Sequence, residues 1–249
     1  MDQDRQEHGA NRGRRGRRGG GGATALCGLL VVDKPMGLSS MDVVRRVRRA
    51  AGGVKTGHAG TLDPLATGVV ICCLGRATKV VERLMGLAKR YETVVDLSAF
   101  TSTDDAEGER EVVEVAQVPG RGAVEAVCAR FVGEIEQVPP AHSAVKVEGR
   151  RAYKAARRGE ALELKARVVR VDAIEVVDYQ WPRLTLRVDC GRGTYIRSLG
   201  RDIGRALGTG GYLASLRRTA VGPYTVERAV SIERCASTIG EGDLLPMPD

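Results

Sequence analysis

Apolar residues in this chain fall in short runs of two different periods, and the order of those runs limits the folds open to it. Residues 26–32 and 69–74 are almost unbroken apolar runs, the pattern of strands buried on both faces. Between them Val43, Val44, Val47, Ala50 and Ala51 form a helical stripe, with Arg45, Arg46, Arg48 and Arg49 off it. Ser39 and Ser40 offer N-caps for that helix and Gly52-Gly53 ends it. A helix is expected over 77–87. Tyr91, Thr93, Val95 and Leu97 then alternate with Glu92, Val94 and Asp96, the period of a strand. A polar turn region at 101–108 and a helix at 122–131 follow. Pro139-Pro140 opens a loop into a strand near 144–147 and a basic helix at 151–158. Strands are expected at 168–177 and 184–190, and Gly191-Arg192-Gly193 turns the chain into a helix with Ile196, Leu199, Ile203, Ala206 and Leu207 inward. Strands and helices mix without strict β-α-β alternation. The expected class is therefore α+β, a mixed and largely antiparallel sheet flanked by helices.

Aromatic residues make up only 4% of the chain, so aliphatic side chains must build its core. No apolar run approaches the ~20 residues that cross a bilayer. Residues 1–22 hold six Arg against Asp2, Asp4 and Glu7, and they show no apolar period. Such a segment buries too little surface to offset its ordering entropy. The expected division is a disordered Arg/Gly-rich basic arm over 1–24 and a single domain over 25–249. The arm followed by residues 23–32 loosely resembles a secretion signal, but the apolar part is short and runs directly into Asp33-Lys34-Pro35.

The net charge of +8 draws polyanions to the surface. It favours nucleic acid over a membrane, because no basic amphipathic segment carries aromatic anchors. A basic face that is merely solvated has the same signature. The cysteines at 27, 72, 73, 128, 190 and 235 form no C-x-x-C pair and have no ligand-spaced histidine. A zinc site is not expected, and the cysteines read as reduced, buried thiols of a cytoplasmic protein.

The densest local signal is residues 57–68, Gly-His-Ala-Gly-Thr-Leu-Asp-Pro-Leu-Ala-Thr-Gly. Asp63 is the only carboxylate between Asp42 and Glu82. An Asp that precedes Pro in a Gly-flanked loop has a restricted backbone, which suits a catalytic carboxylate and equally an ordinary Asp-Pro turn. A phosphate-binding loop is excluded: Lys55-Thr56 lacks the required glycine spacing.

Several blocks stand in order: Gly28 to Pro35 (GLLVVDKP), residues 57–68, Ala77-Thr78-Lys79, Lys89-Arg90-Tyr91 and Gly193-Thr194-Tyr195-Ile196-Arg197. Together they resemble the bacterial tRNA pseudouridine-55 synthases of the TruB type, over about residues 26–249. The resemblance implies the pseudouridine synthase fold and the isomerisation of a uridine in the T-arm of tRNA, with no cofactor and no metal. It makes Asp63 the catalytic nucleophile and Arg197 the arginine that pairs with it. A free carboxylate is ionised at neutral pH, so such a nucleophile needs placement more than deprotonation. The target base must leave its stack, which costs a few kcal/mol. By resemblance Tyr91 stacks on the flipped uracil, a contact worth ~1–3 kcal/mol, although its strand register equally allows a core tyrosine. His58 matches a residue that takes the place of the extruded base. Tyr195 and Leu216 match positions lining the uracil pocket, and Lys34 and Pro35 match a motif read as structural.

The chain departs from the family's Leu-Gly-x-x-Thr-Asp-Thr after the Tyr91 strand, reading Leu97-Ser98-Ala99-Phe100-Thr101-Ser102-Thr103. It ends near where the catalytic part closes, so no C-terminal PUA domain is expected, and the expected state is a monomer. Two rival readings remain at this point: a non-catalytic RNA-binding module, and a guide-RNA-dependent synthase that works inside a larger particle.

Overall fold

The computed structural model describes residues 26–141, 143, 146–147, 150–151 and 164–248. The expected basic arm lies outside these residues, as does the body of the helix expected at 151–158. The chain opens with β1 (Gly28–Lys34), α1 (Ser40–Ala50), β2 (Thr56–His58) and β3 (Thr67–Leu74). A 3-10 turn (Gly75–Val80) leads to α2 (Val81–Gly86), β4 (Lys89–Asp96), β5 (Ala99–Thr101) and β6 (Arg110–Val112). Next come α3 (Arg121–Ala129), β7 (Gly133–Gln137), β8 (Lys146–Val147), β9 (Arg150–Arg151), β10 (Arg167–Gln180) and β11 (Arg183–Cys190). The rest is α4 (Ile196–Leu207), β12 (Tyr212–Val221), β13 (Tyr224–Thr225) and β14 (Val230–Ser231), with short 3-10 turns between and after them.

Among the described residues ten strands form one sheet. Its main order is β14-β1-β3-β12-β4-β11-β10-β7, with β2 on β3 and β13 on β12. The β1–β14 and β3–β12 pairs are parallel, and the other pairings are antiparallel. This is the mixed α+β arrangement the sequence pattern implied. The unbroken apolar runs are buried on both faces. Leu30, Val32, Val70 and Cys72 pack with Val43, Val44 and Val47 of α1, while Leu29, Val31, Val69 and Ile71 pack with Ala77 and Leu84 on the other side. The alternating strand β4 is one-sided: Lys89, Tyr91, Thr93 and Val95 turn inward, and Arg90 and Glu92 face solvent.

α1 starts where the serines place it. Ser39 is the N-cap, and its hydroxyl and the Asp42 carboxylate close a capping box. The run expected as one helix over 77–87 is instead the 3-10 turn followed by α2. The Gly-rich segment that follows α1, residues 54–68, contains the edge strand β2. In α4, Ile196, Leu199 and Ile203 are buried as expected, but Ala206 is exposed and Leu207 half-buried. The buried stripe is rotated toward Arg197, Gly200, Arg201 and Gly204. At 3.6 residues per turn Ala206 lies about 120° from its centre. The glycines draw that face in: a Cβ at Gly204 would stand 2.0 Å from the Gly210 carbonyl oxygen. All six cysteines are free thiols, five buried and Cys27 half-buried. Among the described residues no helix is long and apolar enough to cross a membrane.

The Gly204 contact is backbone against backbone, so no side chain can yield. Gly204→Ala should destabilise the fold by at least about 2 kcal/mol, despite alanine's better helix propensity. Urea denaturation of the two proteins checks this; equal midpoints would contradict the close approach.

Candidate active site

Asp63 sits on the loop between β2 and β3, and the backbone on both sides of it is tied down. On one side the Ser40 hydroxyl accepts from the Leu62 amide at 2.8 Å and donates to the Leu62 carbonyl at 3.1 Å. On the other, the Pro64 carbonyl accepts from the Gly37 amide at 2.8 Å and from Lys34 Nζ at 3.3 Å. Lys34 is fully buried and also donates to the Pro35 and Leu38 carbonyls, at 3.0 and 2.7 Å. Burial lowers its pKa to about 8. Its surroundings are those of a structural clamp, in keeping with the sequence reading of Lys34-Pro35.

A third tie comes from a residue the sequence reading did not single out. Arg218 of β12 is 1% exposed. Its Nε donates to the Val69 carbonyl at 2.8 Å, and Nη1 and Nη2 donate to the Thr61 and Gly60 carbonyls, each at 3.2 Å. One guanidinium thus joins the start of the Asp63 loop to the strand that follows it. Its backbone is fixed as well, by register opposite Gly68 on β3 and Tyr91 on β4. Gly68 has φ +104°, and a Cβ there would lie 2.1 Å from the Arg218 carbonyl oxygen, so no other residue fits.

The Asp63 carboxylate meets Arg197 at the start of α4, Nη2 to Oδ2 3.0 Å. Arg197 is nearly buried, whereas the Asp63 side chain is 38% exposed and so reachable. The guanidinium is divided between two acids: Nη1 stands 3.4 Å from the buried Asp105 carboxylate and donates to the Thr103 carbonyl at 3.0 Å. Asp105 is itself held by the Thr103 hydroxyl at 2.5 Å and the Glu107 amide at 3.1 Å. One turn on in α4, Arg201 pairs with Asp104 at 2.7 Å. Burial raises the Asp104 pKa, with Arg201 and Arg197 pulling the other way. The polar turn at 101–108 therefore carries the acids that anchor Arg197 and Arg201 of α4.

Asp63, Tyr91, Tyr195, Arg197 and Leu216 line one cavity of about 280 Å³, near the lower end of the usual ~300–1,000 Å³ for ligand pockets. Arg218 and Lys89 line it too. Tyr91 is both a core residue and a wall of the cavity, so the two readings of it are compatible. Burial raises its pKa, and the neighbouring Arg218 charge acts against that. Tyr195 is held by Gln137, whose side-chain oxygen accepts from the Tyr195 amide at 2.8 Å and whose side-chain nitrogen donates to the Tyr195 carbonyl at 3.1 Å. Burial raises the Tyr195 pKa as well. His58 is not part of this wall. It ends β2 opposite Cys72, half-buried, and burial holds its pKa below the ordinary histidine value. Sequence reasoning missed Arg218, Asp104, Asp105, Lys89 and Gln137. Arg218 carries a usable signal, since it shares the inward register of Leu216, and a charged residue at such a position needs a buried partner.

Comparison with known proteins places this geometry. Residues 48–196 match the model of the TruB family pseudouridylate synthase N-terminal domain, and residues 197–241 match the tRNA pseudouridylate synthase B C-terminal domain. A protein named tRNA pseudouridine synthase B from Arthrobacter sp. (strain FB24) is 46% identical over 220 residues, 86% of this chain and 72% of that protein. One of the same name from Cupriavidus pinatubonensis is 50% identical over 210 residues, 83% of this chain and 66% of that protein. Among solved structures, one described as a Cbf5-Nop10-Gar1 complex matches with TM-score 0.65 and 33% identity, over 83% of this chain and 52% of that chain. Another, an H/ACA RNP bound to a substrate RNA containing 2′-deoxyuridine, matches with TM-score 0.62 and 30% identity, over 83% and 51%. With more than half its length matched by the first model, and Asp63, Tyr91 and Arg197 gathered at one cavity, the chain belongs to the TruB family of pseudouridylate synthases.

Proposed function

We propose that this protein isomerises uridine 55 in the T-arm of tRNA to pseudouridine, with Asp63 as the nucleophile. The observation that carries the reading is the Asp63–Arg197 pair, fixed at the wall of a base-sized cavity that Tyr91 and Tyr195 flank. The reaction breaks the bond from C1′ to N1, forms one from C1′ to C5, releases the hydrogen of C5 as a proton and leaves N1 carrying a proton. It calls for a carboxylate held in place and a base free to turn. Leu62 and Pro64 fix the Asp63 backbone, Arg197 aims its carboxylate, and the cavity beside it gives the base room.

To enter the cavity the uridine must flip out of the T-loop, at a cost of a few kcal/mol. Stacking on Tyr91 returns ~1–3 kcal/mol of that. His58 lies outside the cavity on the edge strand that leads into the Asp63 loop, which suits a side chain that fills the gap left in the RNA rather than one that touches the flipped base. The names of the relatives favour tRNA as the substrate, and on this proposal the tRNA is modified without a guide RNA. The same reading assigns the enzyme to the cytoplasm, where free tRNA is its substrate.

The decisive test uses a T-arm stem-loop tritiated at uracil C5. Wild-type protein should release tritium without any added guide RNA. Asp63→Asn should bind the RNA within about twofold of wild type while its release rate falls at least about 10³-fold. Binding without release by either protein would instead support the RNA-binding module or the guide-dependent synthase. Arg218→Lys is the second test. A lysine ammonium cannot span three carbonyls as the planar fork does, and each buried carbonyl left unpaired costs ~1–3 kcal/mol. Single-turnover release should fall at least about 10-fold with RNA affinity nearly unchanged. A loss confined to affinity would mean that Arg218 does not act through the Asp63 loop.

A further inference from the structure

The cavity carries more positive charge than a neutral uracil needs. Lys89, Arg192, Arg197 and Arg218 line it, and Asp63 is the one acid among its lining residues. Three of these cations are committed. Arg197 serves Asp63 and Asp105, Arg218 serves the loop carbonyls, and Lys89 Nζ donates to the Met85 and Leu87 carbonyls at 2.5 and 2.6 Å. Arg192 differs. It lies in the turn between β11 and α4, and it pairs only loosely across to Glu82 of α2, Nη2 to Oε2 3.1 Å. Both side chains are more than half exposed, at 54% and 76%. Ion pairs of that exposure are worth about 0–1 kcal/mol, so a better anion can displace Glu82.

The pair also stands at one end of the cavity, where Arg192 lines it and, one turn after Glu82 in α2, so does Met85. Cys190 is in register opposite Lys89, so the turn that follows it stands beside the junction of α2 and β4, and Met85 of α2 completes that wall. We propose that Arg192 binds a phosphodiester flanking the uridine held at Asp63, and that Glu82 occupies this phosphate site in the free protein and must be displaced. The inference rests on the proposed RNA substrate. Like charges concentrated at this end support it: the Lys89 pKa is lowered to about 8, chiefly by burial and further by Arg218 and Arg192, and an incoming phosphate would relieve that repulsion. An arginine also matches a phosphate's paired oxygens better than a lysine would.

The test measures binding of a fluorescent T-arm stem-loop across a salt series, for wild type, Arg192→Gln, Glu82→Gln and the double variant. These side chains are exposed, so the variants should fold. Arg192→Gln should weaken binding about 5–20-fold and lower the slope of log affinity against log salt by ~0.7, the loss of one phosphate contact. Glu82→Gln should tighten binding about 2–5-fold in the wild-type background and leave it unchanged when Arg192 is already Gln. An Arg192→Gln protein with wild-type affinity and slope would overturn the site. A Glu82→Gln gain that is absent, or equally large without Arg192, would overturn the competition. Tritium release by wild type, run alongside, separates failure of this inference from failure of the substrate assignment.

Discussion

The arrangement around Asp63 depends on one buried guanidinium. Arg218 has no carboxylate on its three hydrogen-bonded nitrogens; each donates to a backbone carbonyl, two in the Asp63 loop and one in β3. Desolvating a charge costs several kcal/mol unless it is well solvated by the protein, and three aligned carbonyls do that here. The cost ties the loop's shape to the arginine's presence. If the carbonyls of Gly60 and Thr61 swing away, the charge is stranded; if the arginine withdraws, buried carbonyls are stranded. Because Arg218 is level with Gly68 and Tyr91 across three adjacent strands, the same side chain sets the spacing between the Asp63 loop and the aromatic wall.

A second layer works through charge. Arg218 holds down the pKa values of Lys34, Lys89 and His58 alongside burial, so its field reaches the clamp, the cavity floor and the edge strand. Asp63 is attractive in this field and Arg197 would be repelled by it. The buried Asp105 answers that repulsion by sharing the Arg197 guanidinium. Splitting Arg197 between an exposed acid and a buried one lets it orient Asp63 without surrounding it, which leaves Asp63 open to the cavity.

Period and motif made much of this legible in the sequence. The apolar runs at 26–32 and 69–74, the one-sided alternation from Tyr91 and the stripe of α1 all lead to observed elements, because burial on one or both faces writes itself into residue period. Asp63, Tyr91, Tyr195, Arg197 and Leu216 were read from motifs and do share one cavity. What stayed hidden were interactions between distant segments that no local period encodes. Asp105 looks like any acid in a polar turn until Arg197, on a helix far along the chain, reaches it. The inward side of α4 differs from the sequence reading at Ala206 because glycines and arginines of that helix share the buried face with Ile196, Leu199 and Ile203. Arg218 could have been found by asking why a strand position in register with Leu216 carries a charge.

The two matched family segments meet between Ile196 and Arg197, in the first turn of α4, yet the site ignores that boundary. Asp63, Tyr91 and Tyr195 belong to the first segment, while Arg197, Leu216 and Arg218 belong to the second. The second segment also supplies β12, which runs between β3 and β4 in the middle of the sheet. Without β12 those two strands lose their shared neighbour, and the Asp63 loop and the Tyr91 wall lose the strand that sets the distance between them. Fold and catalytic geometry are therefore completed by the same late-placed strand. A chain that closes its sheet correctly has, by that step, also brought Arg218 to the loop that carries Asp63.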